Sequence, residues 1–153
     1  MKKFFFLVLC LFLIAGFSVT NSCKKSDKIK GCTDKDSKNY DAAAQVDDGS
    51  CTFEGAVVFW YDQTASNGLI ADSATSLTFY INGAVVGSTV TSIFWPTAPV
   101  CSQNGSITVT EDLGKLKNQN YTLSVKDQTG FEYWNATVNV AANTCIQFQL
   151  LWQ

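Results

Sequence analysis

From Gly55 to Gln153 the chain is a succession of short runs rich in Val, Ile, Thr and aromatic residues, and that pattern leaves few folds open. The runs cover 56–62, 76–82, 84–91, 106–111, 121–127, 132–140 and 145–152. Branched and aromatic side chains suit a pleated surface half covered by a core. Asn82-Gly83, between the second and third runs, is the strongest short hairpin signal, and Asn104-Gly105 and Thr129-Gly130 mark two further boundaries. Seven short strands in about 100 residues, with no sustained helical repeat, predict a mainly β fold, an antiparallel β-sandwich. Leu77, Phe79 and Ile81 alternate with Thr78 and Tyr80, and Tyr121, Leu123 and Val125 alternate with Thr122 and Ser124. The apolar members are expected inside, together with Val57, Phe59, Phe131, Tyr133, Val138, Ile146, Phe148 and Leu150. Trp152 has the parity of Ile146, Phe148 and Leu150 and is expected to extend that face.

The segment 32–54 is of another kind. Cys32 and Cys51 enclose Asp34, Asp36, Asn39, Asp41, Asp47 and Asp48, and a segment this short cannot build a core of its own. With Cys10 in an apolar leader and Cys23 just beyond it, Cys32, Cys51, Cys101 and Cys145 suffice for two disulfides. A Cys32–Cys51 bridge would close a loop of about 20 residues and contribute about 3 kcal/mol. A Cys101–Cys145 bridge would close about 45 residues and contribute about 4 kcal/mol, by the same chain-entropy argument. Connectivities that tie the module to the sandwich also satisfy the count. Two chemistries account for the six oxygen-bearing side chains. They could converge on calcium, which takes six to eight oxygen ligands. Alternatively, they form turns, each Asp accepting from its own backbone two residues on. The spacing is not that of an EF-hand, because Lys38 and Asn39 hold the third-ligand and glycine positions that would follow Asp34-x-Asp36.

This stretch resembles a short module that recurs in secreted and surface proteins of Bacteroidota, of the form C-T-D-x-x-A-x-N-Y-x-x-x-A-x-x-D-D-G-S-C. Cys32, Thr33, Asp34, Asn39, Tyr40, Ala44, Asp47, Asp48, Gly49, Ser50 and Cys51 match, while Ser37 replaces the alanine. The resemblance implies an extracytoplasmic, disulfide-closed unit. The β-region, with LTFYINGAVVGS and DLGKLKNQNYTLSVKDQTGFEYW, loosely resembles small immunoglobulin-like or transthyretin-like accessory domains, from which no catalytic residue carries over.

Residues 1–22 read as an export signal. Lys2 and Lys3 precede an apolar run from Phe4 to about Val19, shorter than the about 20 residues that span a membrane. Val19-Thr20-Asn21-Ser22-Cys23 resembles the lipobox of bacterial lipoproteins in the looser form found in Bacteroidota, with Thr20 where Leu is usual. The resemblance implies cleavage before Cys23, acylation of that cysteine, and a lipid anchor in the cell envelope at the outer membrane or cell surface. Plain secretion with Cys23 unmodified, or an uncleaved anchor, are the alternatives. Residues 23–31 are polar and lysine-rich and read as a flexible tether.

Composition narrows the chemistry. The chain has no His, which removes the commonest general base and transition-metal ligand. All eleven basic residues are lysines, so there is no bidentate phosphate fork, and nucleic acid is not an expected partner. Glu111 and Asp112 are adjacent on a strand end, point to opposite faces and do not converge; with Asp127 they read as solvated charges. Trp95, before Pro96 in the long connection 92–105, is the candidate platform for stacking on a sugar. Asp72-Ser73-Ala74 resembles the Bacteroidota O-glycosylation motif, which would place a glycan on Ser73. The sequence therefore suggests an envelope lipoprotein that acts as a non-enzymatic binding or interaction module, with no catalytic residue to name. Its partners would be the membrane, through the anchor, and a protein or glycan ligand. The alternatives are a structural surface protein with a calcium-stabilised loop and a carbohydrate-binding accessory protein.

Overall fold

The computed structural model describes residues 27–153; the expected export signal, Cys10, Cys23 and the expected cleavage point lie outside the described residues. Two strands, β1 (Lys30–Gly31) and β2 (Val46–Asp47), pair in parallel within the cysteine-closed module. Then follow β3 (Phe53–Trp60), the helix α1 (Gln63–Ala71), β4 (Ser76–Ile81) and β5 (Ala84–Val90). The chain ends with β6 (Ile107–Gly114), β7 (Asn118–Asp127), β8 (Glu132–Ala141) and β9 (Cys145–Gln149).

Strands β3 to β9 form the sandwich, seven in two sheets: β6-β3-β9 in one and β5-β4-β7-β8 in the other. Alternation decides what lies between them. Leu77, Phe79 and Ile81 are buried, and so are Tyr121, Leu123, Val125, Val57, Phe59, Val138 and Leu150. The Phe59 and Phe79 rings meet across the interior at 5.9 Å, joining the sheets. Tyr133, Ile146, Phe148 and Trp152 are only partly buried, packed against this core. The Asn82-Gly83 hairpin forms as expected, both residues at positive φ (48° and 82°), which gives the twist that joins β4 to β5. The pairings are antiparallel except that β9 lies parallel to β3, Val57 opposite Ile146 and Phe59 opposite Phe148.

Besides this parallel pair, four features depart from the sequence expectation. First, α1 was not expected. Its nine residues bury only Ala65, Ser66 and Leu69, too short a stripe to register as a helical repeat. Asp62 caps it by accepting from the Ala65 N–H, and the Ser66 hydroxyl donates to Thr91 O at 2.7 Å. Secondly, Phe131 is 62% exposed rather than in the core. It precedes β8 in a turn held by Asp127, whose carboxylate accepts from the N–H groups of Thr129 and Phe131. Thirdly, backbone contacts cross the expected segment limits: Gln45 and Val46 donate to Ile29 O, and β3 starts at Phe53. Fourthly, the connection 92–105 is a cover rather than an open loop. Pro99 is fully buried and accepts from Gln147 Nε2 at 3.0 Å, and the Ser102 N–H donates to Thr108 Oγ1 at 3.0 Å. Gln147 and Thr108 flank Val58 in the register of the three-stranded sheet, and Val58 is 0% exposed although it faces away from Val57 and Phe59. The cover lies over the part of the outer face that holds Val58.

Both disulfides form in the local pairing, Cys32–Cys51 and Cys101–Cys145, at sequence separations of 19 and 44. The first staples the module and contributes its half-cystines to the core cluster; the second pins the cover to β9. No helix among the described residues is long and apolar enough to cross a membrane.

Candidate binding cleft

The acidic module is the first place to look, and there the side chains are already engaged one by one. Asp34 Oδ1 accepts from the Asp36 N–H, Asp41 Oδ1 from Ala43, Asp47 Oδ1 from Gly49 and Asp48 Oδ1 from Ser50. These are the turns in which an Asp binds the backbone two residues on. Asn39 ties the first half of the loop to its second end, donating to Ser50 O at 2.9 Å and accepting from the Thr52 N–H at 2.8 Å. Among the described residues no three carboxylate or thiol groups converge as metal ligands would. Asp34, Asp41, Asp47 and Asp48 each shape a turn, Asn39 bonds Ser50 and Thr52, and Asp36 lies near Lys117, so the six are not brought together as a calcium cage.

The module's charge faces the sandwich instead. Lys117, beside β7, pairs with Asp34 at 2.5 Å and lies 3.9 Å from Asp36, while Lys115 donates to Gly49 O at 2.7 Å. Lys38 of the module reaches back to Glu54 at 2.8 Å. The hydrogen bond from Lys117 holds the Asp34 carboxyl below its usual range, and the Lys117 ammonium is raised in turn. Two of the three lysines of the β-region thereby serve to dock the module.

Trp95 is half-buried in the cover, its backbone N–H donating to Tyr61 O at 3.0 Å. Ser73 is exposed just after α1, at a φ of 66°, its carbonyl accepting from Gln128 Nε2.

An open aromatic surface lies at the end of the sandwich, where α1, the 127–131 turn and the chain after β9 meet. Two adjoining clefts, of about 210 and 390 Å³, share Asp72, Phe131 and Tyr133 as their common wall. Trp134, Trp152 and Glu132 line the first, and Ser73, Asp127, Gln128 and Thr129 line the second. A bulge makes this surface. Lys126 pairs with Glu132 and Val125 with Trp134, so Tyr133 is an extra residue with no partner across the ladder. The bulge frees Tyr133 from the alternation and turns it toward its neighbours. Its ring lies 5.0 Å from that of Phe131, edge to face, 5.8 Å from that of Trp134 and 6.0 Å from that of Trp152. Trp134 is anchored behind them, stacked on Tyr61 at 6.4 Å and donating its indole N–H to Leu151 O at 2.8 Å. Trp152 is seated on Gly68 of α1, where any Cβ would overlap the indole.

No family model matches this chain, and neither a curated protein nor a solved structure is similar to it. The cleft must be read from its own chemistry. Its carboxylates are not equivalent. Asp127 is occupied by the Thr129 and Phe131 groups, and Glu132 accepts from Ser124 and Asn135. Asp72 makes no side-chain hydrogen bond or ion pair among the described residues, and it is exposed. Burial, and then the charges of Asp72 and Asp127, push the Tyr133 phenol up. Of the cleft residues, the sequence reading placed Phe131, Tyr133 and Trp152 in the core and singled out Ser73 for modification. Asp72 carried only the glycosylation motif. The available signal was Gly130-Phe131-Glu132-Tyr133-Trp134, three aromatic residues in four, which strict alternation cannot bury on one face.

Proposed function

We propose that this protein is a lipid-anchored lipoprotein of a bacterial envelope that acts as a non-enzymatic binding module, with the aromatic cleft as its binding face. The pair of disulfides carries the first half of this reading, set in a chain whose residues 1–22 read as an export signal ending at Ser22-Cys23. Cys23 is the proposed site of acylation. The make-up of the cleft supports binding rather than catalysis. It combines exposed rings with one uncommitted carboxylate, and the chain contains no His to move a proton near neutral pH. The disulfide-closed module, held against the sandwich by Lys115 and Lys117, would stand between the anchor and the cleft-bearing domain as a compact spacer. Ser73, exposed on the rim within the motif Asp72-Ser73-Ala74, remains the proposed position for an attached glycan.

The anchor is tested by producing the full chain in a bacterium of the Bacteroidota type with a radiolabelled or clickable fatty acid. Label in the membrane fraction, lost with Cys23→Ala, is the expected result. Release of an unlabelled, soluble chain would overturn the anchor. A neutral sugar on the exposed rings is the second reading, favoured by the exposure of Phe131.

A further inference from the structure

We propose, building on the reading of this cleft as the binding face, that its ligand is an organic cation: a quaternary or alkylated ammonium group seated on Phe131, Tyr133 and Trp152, with Asp72 as counter-ion. Three observations carry the inference. The rings of Phe131 and Trp152 are tilted against that of Tyr133 by different amounts, at interplanar angles of 76° and 31°. They therefore do not form one flat platform, which a pyranose ring would stack on; all three line the smaller cleft together with Asp72. Among the described residues the lining contains Asp72, Asp127 and Glu132 and no lysine, so its formal charge is negative, which suits a cation better than an anion. Lys126, opposite Glu132 in the ladder, lies over the Tyr80 ring and its charge acts on the Glu132 carboxylate, while Lys115 and Lys117 are engaged on the module. Finally, Asp127 and Glu132 are held by their own neighbours, which leaves Asp72 as the carboxylate with nothing to neutralise it. Aromatic faces attract a cation through the ring quadrupole, most strongly where water is partly excluded, and an adjacent carboxylate adds a charge term that salt screens.

The inference separates cleanly from a merely apolar cleft, because choline has a neutral isostere of the same shape, 3,3-dimethylbutan-1-ol. The full chain, purified in detergent, is titrated with choline, with the isostere and with glucose, reading intrinsic tryptophan emission and, in parallel, heat of binding. Choline is expected to bind saturably and the isostere roughly tenfold more weakly, and binding should weaken as salt rises. Asp72→Asn and Phe131→Ser alter exposed side chains and should leave the melting temperature unchanged while each weakens choline severalfold. Equal affinity for choline and its isostere overturns the cation and leaves the cleft a binding face for neutral groups. Binding of glucose with none of choline overturns it in favour of a sugar. Choline affinity unchanged in both variants removes the cleft as the location, and no response to any probe overturns the binding face as well.

Discussion

At the scale of single residues, the carboxylates show how the same side chain takes different roles according to what stands opposite. Asp47 and Asp48 are spent on the turn that precedes Cys51, whereas Asp34 both forms a turn and pairs with Lys117. The pairing has a definite pH signature. The folded pKa of Asp34 is below its ordinary value of 3.8, so the stability it lends is present above that value and is lost as pH falls through the lowered one. The folded pKa of Lys117 is above its ordinary 10.5, so its contribution is present below 10.5 and is lost as pH rises beyond it. Between these limits the contribution is flat. Melting curves across the acid range should therefore fall less steeply in Lys117→Met than in the parent chain, since the variant no longer has the Asp34–Lys117 pair to lose. A parallel fall in both chains would show that the pair does not couple to folding.

At the scale of elements, two glycines record where one element presses on another. Gly55 lies in β3 beneath the end of β8, where an added Cβ would overlap the carbonyl oxygen of Ala141. Gly68 lies in α1 beneath Trp152. Both alanine variants introduce a clash, but the obstacles differ, one being backbone and the other a side chain that can swing outward. Gly55→Ala is expected to destabilise by about 1–3 kcal/mol, at the upper end of that range, with little change in the cleft. Gly68→Ala should cost less, because the helix gains from replacing glycine by about 1 kcal/mol, yet it should displace Trp152 and alter tryptophan emission. Urea unfolding and emission spectra of the two variants check both expectations; equal losses with unchanged spectra would contradict them. The same helix explains a miss in the sequence reading. Asp62 before Gln63 is a helix-start signal, but Gly68 in the middle and a buried stripe of three residues leave too little periodicity to outweigh it.

At the scale of the whole molecule, the two disulfides do unlike things. Cys32–Cys51 holds together a module that has hardly any core of its own, and Cys101–Cys145 fastens a cover over a sheet that is already part of a core. Replacing Cys32 and Cys51 by Ser should cost about 3 kcal/mol and release the module, leaving the sandwich folded. Replacing Cys101 and Cys145 should cost about 4 kcal/mol and expose Val58, read as faster hydrogen exchange in β3, β6 and β9. Hydrogen exchange that stays uniform in the second variant would show that the cover packs without its staple.

What the sequence determined by itself was whatever is encoded between near neighbours. Alternation along 76–82 and 121–127 set which side chains face inward, Asn82-Gly83 set the hairpin, and Asp-x-x spacing set the module's turns. What only the tertiary structure decided depends on residues far apart in the chain. The parallel docking of β9 beside β3, the sealing of Val58 by 92–105 and the closure of the acidic module on Lys115 and Lys117 are all of this kind. The cleft is the clearest case, because Asp72, Tyr133 and Trp152 come from three separate segments and share a wall only after both sheets and α1 have packed. Local pattern says which face of a strand is apolar. The long-range packing, and a single extra residue in β8, determine whether that face is covered or left open to a ligand.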